Sequence, residues 1–197
     1  FLVTSCIILE NTPTVKTTAF ENHRLPLQRK KERSVSGESR NMTNTSVGAV
    51  KLGGWRYEDS TRYIGEWNQR GQKHGIGHLL FTDGTRYDGQ FNEGLSHGLG
   101  CLWFSDGAKY EGEFMQGWFH GHGIFWRSDG MKFEGEFRGG KIWGLGLLTF
   151  QDFTHGFPRN EGFFQDCRLM RKRRCPEIVQ KAQKCALMAR SQCEHPY

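Results

Sequence analysis

The 197-residue chain contains no apolar run approaching the ~20 residues that span a bilayer. Its best candidate, FLVTSCIILE at residues 1 to 10, is too short and has no basic segment in front of it, so neither a spanning helix nor a secretory leader is expected. Phe1 stands where an initiator Met would, as in a fragment or an extended gene model. The six cysteines, Cys6, Cys101, Cys167, Cys175, Cys185 and Cys193, form no CxxC pair and lack the dense spacing of a secreted disulfide scaffold. A reduced, cytoplasmic protein is the expectation.

Positive charge is also scarce where the chain is most regular. Residues 51 to 166 hold twelve Lys/Arg against fifteen Asp/Glu, whereas residues 1 to 50 hold seven against four and residues 167 to 197 hold eight against two. Nucleic-acid binding draws its affinity from cations that neutralise phosphates, so a mildly acidic centre excludes that partner. No nucleophile or base motif is present either. The two ends leave no room for a separate catalytic domain, and no enzyme activity, cofactor or small-molecule substrate is expected.

What the chain does have is glycine beside aromatic rings, at a fixed period. YIGEW at 63, YDGQF at 87, YEGEF at 110 and FEGEF at 133 are each followed by a second block, HGIGHLLF at 74, HGLGCLWF at 97, HGHGIFWR at 120 and WGLGLLTF at 143. The second blocks recur every 23 residues, and the one extra residue in the first copy falls in NQRG at 68 to 71, which marks a turn. Within the blocks the side chains alternate with a period of two, so each copy reads as two strands. Asp-Gly at 83, 106 and 129 supplies tight turns between copies. A distorted fifth copy, NEGFF, follows at 160. Glycine leaves a slot on a sheet face in which a neighbouring ring can lie, so the two extremes of side-chain size belong together.

Four copies of Y-x-G-x-[FW] and x-G-x-G-x-[LF] in register resemble the MORN repeat (membrane occupation and recognition nexus) over residues 55 to 166. The implied fold is all-β: a single-layer antiparallel meander coiling into a trough, roughly 40 to 45 Å long at ~4.8 Å per strand. A narrower resemblance covers LLTFQDFTHGFPRNEGFFQDCRLMRKRRCPEIVQKAQ, residues 147 to 183, which is similar to the end of the retinophilins, short MORN-repeat proteins of photoreceptors. That resemblance implies a non-catalytic adaptor for the tail of class III unconventional myosins in actin-rich projections such as rhabdomeres, stereocilia or filopodia.

An apolar trough too large for this chain to fill reads as a protein-binding surface. Its expected floor holds Tyr63, Trp67, Tyr87, Phe91, Tyr110, Phe114, Phe133 and Phe137 from the first strands, with Phe104 and Phe125 among those from the second. Arg127 stands where the other copies have Phe81, Phe104 and Phe150. It is either a surface residue whose stem covers a ring or an anchor for a partner's carboxylate. His74, His97 and His120 repeat two strands apart, about 10 Å, too far for one metal ion, and are read as residues that start strands. Glu66, Glu113 and Glu136 repeat on the face opposite the tyrosines, likewise too far apart for a shared-proton pair.

The organisation expected is a disordered extension at 1 to 50, containing the basic run RKKER at 29 to 33, a repeat domain at 51 to 166, and a basic linker with a helix at 167 to 197. Pro176 and Glu177 suit a helix start, and Ile178, Val179, Ala182, Cys185, Ala186 and Ala189 make one apolar stripe. This helix is expected to cap the exposed edge or mouth of the last repeat rather than to bind a partner. Arg168, Arg171, Lys172, Arg173 and Arg174 are either a solvated linker or a contact for an acidic partner or anionic lipid. The second reading of the whole is thus a membrane-surface module that binds anionic phospholipids through its repeats and this run.

Overall fold

The structure is a computed structural model describing residues 50–157 and 159–193, so the extension expected to be disordered, with its RKKER run, lies outside the described residues but for Val50. Among the described residues eleven strands follow in chain order: β1 (Lys51–Arg56), β2 (Arg62–Trp67), β3 (Lys73–Leu80), β4 (Arg86–Asn92), β5 (Leu95–Trp103), β6 (Lys109–Met115), β7 (Trp118–Trp126), β8 (Lys132–Arg138), β9 (Lys141–Thr149), β10 (Glu161–Gln165) and β11 (Arg168–Lys172). The helix α1 (Pro176–Cys193) ends the described chain. The strands form one antiparallel sheet in sequence order, the meander that the repeats predict.

Two kinds of turn alternate, each written in the local sequence. Between copies the turn is closed by an aspartate: the Phe81 N–H donates to the Thr85 carbonyl at 2.8 Å and the Asp83 carboxylate accepts the Thr85 N–H at 2.8 Å. Asp106 and Asp129 repeat this arrangement, and Asp59 does so one turn earlier, which is how β1 joins a sheet whose first full copy begins at Tyr63. Inside a copy, two residues suffice, Glu93-Gly94, Gln116-Gly117 and Gly139-Gly140, and both members of each pair have positive φ. That is the type I′ geometry whose twist matches its flanking strands. The extra residue of the first copy sits in the longer Asn68–Gln72 turn, where the Asn68 side chain accepts the N–H groups of Arg70 and Gln72.

Ten glycines face one another across the sheet in one unbroken row: Gly53, Gly65, Gly77, Gly89, Gly100, Gly112, Gly123, Gly135, Gly146 and Gly162. The register shifts just beyond it at Gly65, Gly89, Gly112 and Gly135, so each hairpin bulges at the same height. A methyl group at Gly112 would stand 2.6 Å from the Gly123 Cα, which no side chain tolerates.

Two expectations about the C-terminal region change. The supposed basic linker begins as a strand, since β11 pairs with β10 and carries Arg168, Arg171 and Lys172 into the sheet. The helix forms where its apolar stripe predicts, with Ala182, Cys185, Ala186 and Ala189 buried. It does not cap the edge of the last repeat: α1 lies back across β4 to β9, on the face opposite the tyrosines. The reason is area, because a sheet edge offers only a row of backbone groups, whereas the face offers Ile124 and Trp126 for Ala182 and Ala186 to cover.

Candidate functional site

The residues expected to floor an open trough are closed on one another. Trp67, Tyr63, Phe91, Tyr87, Phe114, Tyr110, Phe137, Phe133 and Phe164 form a continuous edge-to-face chain, with successive ring centroids between 4.9 and 5.4 Å apart. Edge-to-face contacts of this kind are worth about 0.5 to 1.5 kcal/mol each beyond area burial. Tyr63, Tyr87 and Tyr110 are fully buried, and Phe91, Phe114, Phe125, Phe133 and Phe137 nearly so; Trp67 and Phe104 are half-buried. The expected partner-contact role of the buried rings therefore gives way to a structural one.

Each tyrosine is held at both ends. The hydroxyls of Tyr63, Tyr87 and Tyr110 donate to the carbonyls of Glu66, Gln90 and Glu113 at 2.8, 2.7 and 2.9 Å, capturing a backbone group that the bulge frees. Their rings lie over the glycine row: a methyl group at Gly100 or Gly123 would stand 2.6 Å from the hydroxyl of Tyr87 or Tyr110. Phe133 fills the same place in the fourth copy without the hydroxyl.

Sequence reasoning missed the residue that precedes each second block. Lys73, Ser96, Phe119 and Ile142 are all buried there, and Phe119 stacks on Tyr110 at 3.9 Å. The signal is present only as position, since a lysine, a serine, a phenylalanine and an isoleucine share no chemistry. Arg127 stands where expected, in the turn position that Phe81, Phe104 and Phe150 hold in their copies, and its guanidinium pairs with Asp129.

The opposite face carries the polar chemistry. Asp88, Glu111, Glu134 and Glu161, a repeated series not singled out by the sequence reading, are buried carboxylates at the position before the glycine of the second to fifth first blocks, where the first copy has Ile64. Each pairs with the base two residues earlier: Arg86 at 3.0 Å, Lys109 at 2.8 Å, Lys132 at 3.0 Å, and Arg159. Arg86 and Lys109 also lie 4.1 Å above the rings of Trp103 and Trp126. The helix and the residue before it supply further partners. Arg190 reaches Glu111 at 2.9 Å, Gln183 donates to Glu134 at 2.9 Å, and the Cys175 N–H donates to Glu161 at 2.8 Å. Burial pushes the Glu161 carboxyl up, but the Cys175 N–H and Arg159 outweigh it and hold the group below its usual range.

The second carboxylate series is structural as well. Glu113 accepts the His122 N–H at 3.0 Å and Glu136 the Leu145 N–H at 2.6 Å, while Gln90 does the same for Leu99 at 3.3 Å. These groups pin the bulges, and Gly121, at φ 57, makes room for the Glu113 carboxylate. Histidines join this cross-strand network, with His78 2.8 Å from Asp88. The thiols under the helix are poor nucleophiles: burial beside Glu113 pushes Cys185 up to about 12, and a hydrogen bond with Cys193, together with burial, raises Cys101.

What stays open is the part of this face that α1 does not reach. Leu52, Ile64 and Leu80 are 61, 59 and 42 % exposed on β1 to β3, and Ile64 is flanked across the strands by Gly54 and His78. Arg56 and Arg62 border the strip and are exposed. At the other end of the sheet Arg168, Arg171, Lys172, Arg173 and Arg174 are exposed on and just after β11. Among the described residues no helix is long and apolar enough to cross a membrane.

A glycine-and-tyrosine meander of two-strand units defines a repeat protein, and the family model for the MORN repeat matches residues 63–86, 87–109, 110–132 and 133–155, the four units that begin at Tyr63, Tyr87, Tyr110 and Phe133. The chain is 92% identical, over 152 residues that make up 77% of each sequence, to the MORN repeat-containing protein 4 homolog of Drosophila melanogaster. This chain belongs to the MORN-repeat family.

Proposed function

We propose that the chain is a non-catalytic adaptor that holds a protein partner against its sheet, the partner being the tail of a class III unconventional myosin and the setting an actin-rich cell projection. Family membership and the near-identical relative support an adaptor. The retinophilin-like terminus supports the choice of partner. The single observation that carries the reading is the division of the two faces: the tyrosine face is filled by its own rings, while Leu52, Ile64 and Leu80 stay exposed beside a helix that covers only β4 to β9. An apolar strip next to an intramolecular helix suits a second, amphipathic segment from another chain. Among the described residues, the carboxylates Asp88, Glu111, Glu113, Glu134, Glu136 and Glu161 are engaged in ion pairs and bulges, a structural use that suits an adaptor.

The test is a fluorescence-anisotropy titration of a class III myosin tail fragment with the full chain and with Ile64→Asp/Leu80→Asp, whose fold is checked by circular dichroism. Saturable binding that weakens at least about tenfold in the variant is the expected result, since buried apolar anchors dominate interface energies. Absence of binding by the intact chain would withdraw this partner. Binding that is insensitive to the variant would move the site. A membrane-surface role, supported by the basic run at β11, predicts instead co-sedimentation with anionic vesicles that fades with salt.

A further inference from the structure

The sheet has two ends, and they are not alike. At the β11 end a cleft of about 460 Å³ opens on the face that carries α1, lined by Leu145, Phe163, Arg171 and Arg173. Its shape follows from register. Phe163 of β10 lies between Leu145 of β9 and Arg171 of β11 in the cross-strand pairing, so the cleft has an apolar floor with a guanidinium wall. Arg173 continues the wall two residues on, and neither guanidinium forms an ion pair with a described residue. The nearby Glu161 carboxylate is already held by Arg159 and the Cys175 N–H and does not neutralise them.

Among the described residues β11 is also an open edge. The strand order ends with it, and the Arg173 N–H points inward, donating to the Glu161 carbonyl at 3.1 Å. Because successive backbone groups of a strand point in opposite directions, the Lys172 N–H points off the edge. An exposed edge accepts another strand unless its side chains repel the newcomer, and five basic residues between positions 168 and 174 repel basic strands and attract acidic ones.

We propose that β11 is a docking edge for an acidic extended peptide of another protein, which adds as a twelfth strand with two acidic side chains, two residues apart, on Arg171 and Arg173. The ligand class is a segment of the pattern acidic-x-acidic, because alternate residues of a strand share a face and the two arginines are two residues apart. Backbone bonds to the edge supply affinity and the two arginines supply selection. This site lies at the opposite end of the sheet from the strip on β1 to β3, so its failure would leave the adaptor reading untouched.

The probe is a fluorescein-labelled peptide Thr-Glu-Thr-Glu-Thr with capped ends, titrated against the full chain, with Thr-Lys-Thr-Lys-Thr and vesicles of phosphatidylserine and phosphatidylcholine as comparisons. Saturable binding of the acidic peptide alone is expected, weakened at least about tenfold by Arg171→Ala/Arg173→Ala. Lys172→Pro removes the outward N–H without touching the β10 ladder, and it is expected to weaken binding well beyond Lys172→Ala, which controls for the lost charge. Three results would overturn the proposal: no binding of the acidic peptide, equal binding of the basic one, or equal affinities for Lys172→Pro and Lys172→Ala. Vesicle binding that depends on Arg171 and Arg173 while the peptide stays unbound would overturn it in favour of a lipid headgroup.

Discussion

Lys73 is the one charged member of a buried series in which the later copies place Ser96, Phe119 and Ile142. Its ammonium lies 3.4 Å from the Tyr57 hydroxyl and 5.2 and 5.8 Å from the centres of the Tyr57 and Tyr63 rings, a site that suits a cation poorly in spite of the ring faces. Burial accordingly pushes the Lys73 pKa down. The unfolded chain binds that proton more tightly than the folded one. Stability therefore rises with pH between the folded value and the ordinary lysine value of about 10.4. The buried hydroxyls of Tyr87 and Tyr110, pushed up chiefly by burial, act oppositely: unfolded tyrosines release protons from about pH 10, so stability falls beyond it. The thiols of Cys101, Cys175 and Cys185, also pushed up, act in the same sense as the tyrosines from about pH 8.5, so the lysine is read by difference. Lys73→Met is expected to raise the urea midpoint at neutral pH, with an advantage over the wild type that shrinks as pH approaches about 10; an advantage independent of pH would contradict this account.

At the scale of elements, α1 illustrates how a weakly amphipathic helix finds its place. It contributes alanines rather than large apolar residues, and Ala182, Ala186 and Ala189 are fully buried because small side chains let the helix close on the sheet. Polar contacts to Glu111 and Glu134 then fix its register along the strands. Replacing Ala186 by leucine forces extra volume into this contact, at a cost of about 1 to 3 kcal/mol. Iodoacetamide at pH 8, read by peptide mapping, is expected to modify Cys193 before Cys101 and Cys185 in the wild-type protein, whose latter two thiols are buried with raised pKa values. Ala186→Leu is expected to expose both together. Unchanged labelling rates would mean that something other than the helix shields them.

The molecule as a whole is a one-dimensional stack in which each strand meets little but its neighbours, so local stability follows what covers each unit. The middle strands β4 to β9 are covered by α1, whereas every residue of β1 is exposed. Backbone amides are expected to exchange fastest in β1 and β2 and slowest in β6 to β8, because opening the uncovered end breaks few contacts. Hydrogen exchange followed by mass spectrometry measures this directly, and uniform protection would show that the sheet opens as one unit instead. The same asymmetry exposes the apolar strip at the β1 end and the basic edge at the β11 end.

The sequence by itself determined the unit: its 23-residue period, its two strands, its Asp and Gly turns, the partnership of ring and glycine, and the apolar stripe that becomes α1. These are local, since a period of two, a positive φ or a helical stripe is set by residues a few positions apart. Two strands outside the four full copies, β1 and β11, were less legible, because KLGGWR and RLMRK carry only fragments of the repeat pattern. Only the tertiary structure decided which face each set of side chains would serve. A period of two distinguishes two faces and is silent about which is covered, and the answer rests on contacts such as Gln183 with Glu134 and Cys193 with the Asp88 carbonyl, 49 and 105 residues apart in the chain. For the same reason the rings that alternation placed on a trough floor proved to be its filling: their edge-to-face closure depends on how strongly the sheet folds at the glycine row, which is a property of all its strands together.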